Sequence, residues 1–235
     1  MKPCIVFDVN ETLLDLESMN QIFERIFGDK QAMRLWFAGL ILYSEALTLA
    51  NAYTPFTEIG AAVMQMLAST RGITISADQR RELTDRFATM PPHPEVPAAL
   101  GQLRNAGFRL FTLTDNLLEI QTRQLEHGGI LHYFEQRFSV DQAVRRHKPA
   151  PEAYRYVEVQ LGVRASDLLL VASHTWDTIG AVAAGWHAAL IKRRGNDLLG
   201  VGPQPELTGT DLSDVANQLV ERYANRSSVA QGDPK

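Results

Sequence analysis

Only one cysteine, Cys4, stands among the 235 residues. A single thiol can close no internal disulfide and build no multi-thiolate metal site, and such usage fits a reducing compartment, so a cytoplasmic location is expected. Cys4 itself reads as a small buried apolar residue on a first strand. Basic blocks are missing as well. The 23 Lys and Arg are outnumbered by 27 Asp and Glu, a formal charge of −4, so no nucleic-acid partner is expected. Long apolar runs are absent: the helical apolar region 35–49 is broken by Ser44 and Glu45 and is too short to span a bilayer, which leaves no membrane role. No secretory leader is expected, because Asp8 interrupts the early apolar stretch. His93, His127, His132, His147 and His187 lack metal-ligand spacing and read as structural or surface residues; no metal and no cofactor is expected. What remains is an ordinary globular composition, 45% hydrophobic and 21% charged, long enough for one core plus a smaller insertion.

Strand-like runs fall at Cys4–Asp8, Phe108–Thr114, Arg137–Val140, Leu168–Ser173 and Ala188–Lys192. Helical patterns at Val96–Asn105, Leu117–His127, Pro151–Leu161 and Thr175–Ala184 separate the later ones. Apolar runs without alternation, divided by helices, predict a parallel sheet covered on both faces. The stretch 19–90 differs: it contains four helical segments, near 19–27, 31–49, 55–70 and 77–89, and no convincing strand. Ser76 and Gln79 stand at capping-box spacing before the last of them. Met90-Pro91-Pro92-His93-Pro94 cannot continue a helix and reads as a hinge or linker. The expected class is therefore α/β, a Rossmann-like parallel-sheet core with an inserted all-helical cap domain. The expected division is 1–16 plus 92–225 for the core, 17–91 for the cap and 226–235 for a disordered tail. An insertion just after strand one overhangs the carboxyl ends of the strands, where open α/β sheets place their ligands.

Four chemistry-bearing residues occupy such ends in chain order. Asp8 closes the run Ile5-Val6-Phe7, Thr114 closes Leu110-Phe111-Thr112-Leu113, Lys148 precedes the helix starting at Pro151, and Asp177 follows Val171-Ala172-Ser173. A carboxylate held in a closed site can attack carbon or phosphorus and form an ester, dividing one hard step into two. A lysine keeps it ionised and offsets an anionic substrate. Thr12 or Thr114 can donate to substrate oxygen or position Asp8, and Asp177 can hold Lys148. This order of four residues, with a helical cap between the first two, resembles the haloacid dehalogenase-like superfamily from residue 4 to about 224.

Phosphoryl-transferring members of that superfamily carry an acid two residues after the nucleophile and another four before the last aspartate. Here those positions are Asn10 and Ser173. Asn10 cannot act as an acid, and a hard dication wants carboxylate oxygens. Halide departs as a stable anion and needs neither proton nor metal, so the chain is similar to the type II 2-haloacid dehalogenases. Lys148 and Tyr154 have that branch's spacing, and the segment Ser173-His174-Thr175-Trp176-Asp177 resembles its serine-asparagine-x-tryptophan-aspartate segment. Tyr53-Thr54-Pro55-Phe56 resembles a cap stretch. The resemblance implies metal-independent hydrolysis of short 2-haloalkanoic acids to 2-hydroxy acids. Asp8, Thr12, Lys148 and Asp177 are its expected catalytic residues, with Lys148 and Thr114 anchoring the substrate carboxylate. Asn10, Thr114, Asp115, Asn116, Phe56, Tyr154, Ser173, His174 and Trp176 are expected around the substrate, with Phe56 and Trp176 as apolar walls. Three positions depart from the branch: Asn10 replaces a tyrosine, Asp115 an asparagine, and Leu47 falls where a cap arginine cradles halide, the nearest basic cap residue being Arg34. His174 can deprotonate the water that hydrolyses the ester, or simply bond its loop. Alternative readings are a phosphatase of a small metabolite and a catalytically idle binding protein of the same fold. The apolar helix around Trp36-Phe37-Ala38-Gly39-Leu40-Ile41-Leu42 is expected in a core or a homodimer interface.

Overall fold

The computed structural model describes residues 2–229. Its centre is a six-stranded parallel sheet in the order β3-β2-β1-β4-β5-β6, with β1 Cys4–Phe7, β2 Leu110–Thr114, β3 Gln136–Ser139, β4 Leu168–Ala172, β5 His187–Ile191 and β6 Leu207–Gly209. Strands β1, β2 and β4 are buried along their whole length, as unalternating apolar runs require. Side chains still alternate between the two faces. Ile5 and Phe7 enter one hydrophobic cluster with Leu169, Val171, Ala189 and Ile191, whereas Cys4 and Val6 enter another with Phe111, Leu168 and Leu170.

Helices cover both faces. The Ile5 face packs against α5 (Val96–Asn105) and α10 (Leu212–Val229) through Leu100, Leu103, Val215 and Leu219. The Val6 face packs against α8 (Pro151–Leu161) and α9 (Thr175–Ala183) through Ala153, Tyr154, Val157 and Ala181. Helix α8 has Pro151 in its first turn and ends at Gly162 in the left-handed region, φ 64°, where a side chain would be strained.

Between β1 and α5 lie four helices: α1 Asn20–Phe27, α2 Ala32–Leu49, α3 Phe56–Thr70 and α4 Ala77–Ala88. Ser76 caps α4 in a reciprocal capping box with Gln79, as the spacing predicts. Helices α2 and α3 approach closely because Gly39 lacks a Cβ, which would sit 2.9 Å from Val63 Cγ1. Trp36 donates its indole N–H to the Gly60 carbonyl at 2.8 Å. Phe23, Met33, Trp36, Phe37 and Leu40 share one cluster with Leu13, Leu14 and Leu16 of the segment after β1, so the helical layer and the sheet bury a continuous apolar body.

Two short elements carry no sequence signal, α7 (Val140–Ala143) and the three-residue strand β6. Residues 226–229, expected to begin a disordered tail, continue α10 as helix, and the rest of that tail, 230–235, lies outside the described residues. Between β2 and β3 the chain forms α6 (Leu118–His127). The sheet order sends the chain to opposite sides of β1, toward β2 and β3 on one and toward β4, β5 and β6 on the other. Register pairs Phe7 with Thr112 and with Val171, so the loops after β1, β2 and β4 leave the same edge side by side. That edge is the switch-point crevice of an open α/β sheet.

Candidate active site

Asp8 is the first residue past β1, and its backbone N–H still bonds to the Val171 carbonyl at 3.0 Å. Its side chain is almost wholly buried and triply contacted. Oδ1 accepts from Lys148 Nζ at 2.9 Å, Oδ2 accepts from Thr12 Oγ1 at 2.6 Å, and His174 Nδ1 lies 3.5 Å from Oδ2. Burial alone would raise the Asp8 carboxyl, but the Lys148 ammonium, with His174 and Thr12, outweighs it and holds the group well below the usual carboxylate range. The site therefore contains a desolvated, ionised carboxylate. Such a group can act as a nucleophile.

Lys148 is itself buried, with Nζ 2.6 Å from Asp177 Oδ2 and 3.4 Å from the Leu113 carbonyl. Burial works against its charge, yet Asp177 and Asp8 together keep its ammonium well above the ordinary lysine value. Asp177 Oδ1 accepts from the Tyr154 hydroxyl at 2.7 Å. Tyr154 reaches it only because residue 180 is glycine: a Cβ there would collide with the hydroxyl and lie 2.6 Å from Pro149 Cβ. Thr12 also accepts the Ser173 backbone N–H at 2.9 Å, which ties the loops after β1 and β4 together.

A void of about 10 Å³, room for roughly one water molecule, lies beside Asp8. Asp8, Asn10, Phe37, Ile41, Phe56, Thr114, Asp115, His174 and Trp176 line it. A much larger cavity of about 520 Å³ lies between α3, α4 and α6; it does not touch Asp8 but has Phe56 as a shared wall. Of the residues expected around a substrate, Asn10, Phe56, Thr114, Asp115, His174 and Trp176 thus border the void. Tyr154, Ser173 and Asn116 do not: Tyr154 is directed at Asp177, Ser173 at Thr12, and Asn116 is fully buried beside Thr114, its amide unpaired. Lys148, expected to anchor a substrate carboxylate, is instead engaged by Asp8 and Asp177 and is absent from the pocket wall. Thr114 is better placed. Its Oγ1 accepts the Asn116 N–H at 3.2 Å, which leaves its own proton to donate.

Asp115 is not a free charge facing the void. Its Oδ1 accepts the Lys148 backbone N–H at 2.9 Å and lies 3.5 Å from His147 Nδ1. His147, expected as a structural or surface residue, is fully buried, stacked on Tyr53 at 4.9 Å, with Nε2 2.9 Å from the Thr54 carbonyl. Burial alone would lower its imidazole, but Asp115 and the Thr54 carbonyl raise it overall.

Sequence reasoning missed Glu11. It is buried at φ 63°, a left-handed conformation that costs a non-glycine residue about 1–2 kcal/mol. Its carboxylate holds Arg34 of α2, accepts from Asn196 Nδ2 at 3.1 Å and lies 2.8 Å from His174 Nε2. Its backbone carbonyl lies 3.0 Å from His93 Nε2. Burial would raise Glu11, but His174 and Arg34 bring it down to about 2. Phe37 and Ile41 were missed as wall residues because α2 is apolar on most sides, which hides the face that meets the site. Gln124, whose Nε2 lies 3.2 Å from Asn10 Oδ1, has no local signal at all. Among the described residues no three His, Cys, Asp or Glu side chains converge as a metal cage.

Residues 2–185 match the model of a family described as haloacid dehalogenase-like hydrolase. Haloacetate dehalogenase H-2 of Moraxella sp. (strain B) is 30% identical over 206 residues, 87% of this chain and 92% of its own length. (S)-2-haloacid dehalogenase 2 of Pseudomonas sp. (strain CBS-3) is 27% identical over 224 residues, 94% and 97% of the two chains. The structure of L-2-haloacid dehalogenase from Xanthobacter autotrophicus with chloropropionic acid covalently bound shares the fold. It superposes with a TM-score of 0.85 at 21% identity, covering 93% of this chain and 98% of that one.

Proposed function

The chain belongs to the haloacid dehalogenase-like hydrolases, and from that premise we propose that it hydrolyses short 2-haloalkanoic acids through an ester on Asp8. One observation carries the choice of reaction. The ionised Asp8 faces a small void with Phe37, Ile41, Phe56 and Trp176 in its walls, while the two positions that phosphoryl transfer would fill with acids are engaged otherwise. Asn10 Oδ1 accepts from Gln124, and Ser173 is bonded to Thr12. A halide leaving group asks for neither acid.

In this reading one Asp8 oxygen attacks carbon two from behind, the carbon–halogen bond breaks, and halide leaves with the electron pair. Lys148 and Thr12 orient the carboxylate and keep it ionised, and Asp177, itself fixed by Tyr154, orients Lys148. Burial between apolar walls strips Asp8 of the hydration that makes a carboxylate sluggish in water. Thr114 donates to the substrate carboxylate. Water then hydrolyses the ester to a 2-hydroxy acid. The helices α1–α4 act as a lid that excludes bulk water.

The test is chloride release from racemic 2-chloropropionate in the presence of chelator, followed by a single turnover in heavy-oxygen water. The expected result is one heavy oxygen on the peptide carrying Asp8 and none on Asp8→Asn, which releases no chloride. Turnover without label on that peptide refutes the ester. Leu35, Leu42 and Leu49, seven residues apart on α2 and all exposed, form an apolar stripe that supports a homodimer. Among the described residues no helix is long and apolar enough to cross a membrane.

A further inference from the structure

The ester must be cleared by water, and the base that activates this water is where the chain has its own solution. Asp177 is badly placed for that role. It is fully buried, absent from the pocket wall, and both its carboxylate oxygens are occupied, by Lys148 at 2.6 Å and by Tyr154 at 2.7 Å. His174 has the opposite properties. Its ring borders the void beside Asp8, stacked on Trp176 at 5.2 Å and tilted against Phe37 at 5.4 Å, so it is held by apolar walls. Its Nε2 is fixed by Glu11 at 2.8 Å, and Glu11 is fixed in turn by Arg34 and Asn196. Its Nδ1 is buried without a hydrogen-bond partner, 3.5 Å from Asp8 Oδ2. A reactive carboxylate, an imidazole facing it and an acid orienting the imidazole's far nitrogen are the parts of a nucleophile–base–acid triad.

We propose that His174, oriented by Glu11, is the base that activates water against the Asp8 ester; the proposal rests on the dehalogenase reading above. In the resting enzyme burial would lower the His174 imidazole, but the carboxylates of Asp8 and Glu11 raise it to about 9, so it starts as an imidazolium. Ester formation at Asp8 removes one of those charges. His174 then releases its proton to solvent, the one proton that dehalogenation yields overall, and is ready as a base. Water attacks Asp8 Cγ as Nδ1 takes a proton from it. The tetrahedral adduct breaks its bond between Cγ and the alkoxide oxygen, and the alkoxide recovers the proton from Nδ1 to give the 2-hydroxy acid. The remaining proton on the Asp8 carboxyl passes to His174 and restores the starting pair. Glu11 is the positioning residue; its left-handed backbone is tolerated because its carboxylate serves both Arg34 and His174.

The experiment is rapid mixing of His174→Gln with 2-chloropropionate, following chloride and the mass of the peptide carrying Asp8. The expected result is a burst of one chloride per site, an Asp8 peptide heavier by one carboxyethyl group, and steady turnover at least ~100-fold below the parent. Glu11→Gln keeps the imidazole and tests the same step in a second background. Its burst is expected to persist while turnover falls at least ~10-fold, the scale on which an imidazole's supporting partner acts. Parent-like turnover of His174→Gln, or loss of burst and turnover together in both variants while each remains folded by circular dichroism, overturns the assignment. A parent that releases no chloride overturns the dehalogenase reading, and this inference with it.

Discussion

Replacing Lys148 by methionine preserves most of the side chain's bulk and deletes its charge. The consequence follows from where that charge sits, with Nζ 2.9 Å from Asp8 Oδ1 and 2.6 Å from Asp177 Oδ2 and the lysine wholly buried. Without it the buried Asp177 loses its cation, and Asp8 keeps only the His174 imidazolium 3.5 Å away. Removing one partner of a buried pair costs about 3–5 kcal/mol, because the group left behind is uncompensated. For a chain of this size each kcal/mol shifts the melting temperature by roughly 2–4 °C, so the midpoint should fall by about 6–20 °C at pH 7. The pH dependence fixes the cause. In the parent the Asp8 pKa is depressed, so its contribution is present above the unfolded aspartate value of about 3.9 and is lost as pH falls through the folded value. In Lys148→Met the Asp177 carboxyl, raised by burial even in the parent, loses the charge that lowers it and rises further. The variant is therefore penalised above pH ~4 and recovers as Asp177 takes a proton. The gap between the two proteins should therefore narrow steadily as pH falls from 7 toward 4. Melting followed by circular dichroism at pH 7, 5.5 and 4.5 reads this directly. Coincident midpoints at pH 7, or a gap of constant size, would refute the electrostatic account of this cluster.

Phe56→Ala should join the void beside Asp8 to the 520 Å³ cavity it borders. The ratio of kcat/KM for 2-bromohexanoate over 2-bromopropionate should then rise by at least ~10-fold, with a stability cost of about 3–5 kcal/mol; an unchanged ratio means Phe56 is not the barrier. Gly180→Ala should destabilise by at least about 1–3 kcal/mol through overpacking against Tyr154 and Pro149. Adding Tyr154→Phe removes the crowded hydroxyl and should recover part of that loss, whereas strictly additive effects in urea titrations would argue that the two side chains are independent. Leu42→Glu puts a charge in the exposed leucine stripe of α2 and should turn a sedimenting dimer into a monomer of unchanged fold; a parent that already sediments as a monomer removes the stripe's proposed role.

Much of this architecture is local in origin, and local features are legible in a chain. Short unalternating runs such as Ile5-Val6-Phe7 and Leu168-Leu169-Leu170-Val171, set between helical patterns, read as strands buried on both faces, and they are. The Ser76–Gln79 capping box and the Pro151-to-Gly162 span mark helix ends within a residue. Strand β6 was invisible because three residues pairing only with β5 carry no periodicity to read.

At the site, sequence order determined that Asp8, Thr114, Lys148 and Asp177 would end or follow core elements, since each stands at the edge of an apolar run or beside a helix-starting proline. It left open what each side chain faces, because partners such as Lys148 and Asp8 are 140 residues apart. Only tertiary packing settled that Lys148 is spent on two carboxylates rather than on the pocket, that Gly180 makes room for Tyr154, and that His147 is buried against Asp115. Glu11 shows the divide most plainly. As a letter in a turn it is one more exposed acid; folded, it is buried at positive φ between Arg34 of α2 and a histidine of the sheet edge. Hydrophobic pattern follows from each residue's own solvation and its neighbours along the chain. The electrostatics of a buried cluster depend on distances that exist only once the sheet and its helices have packed together.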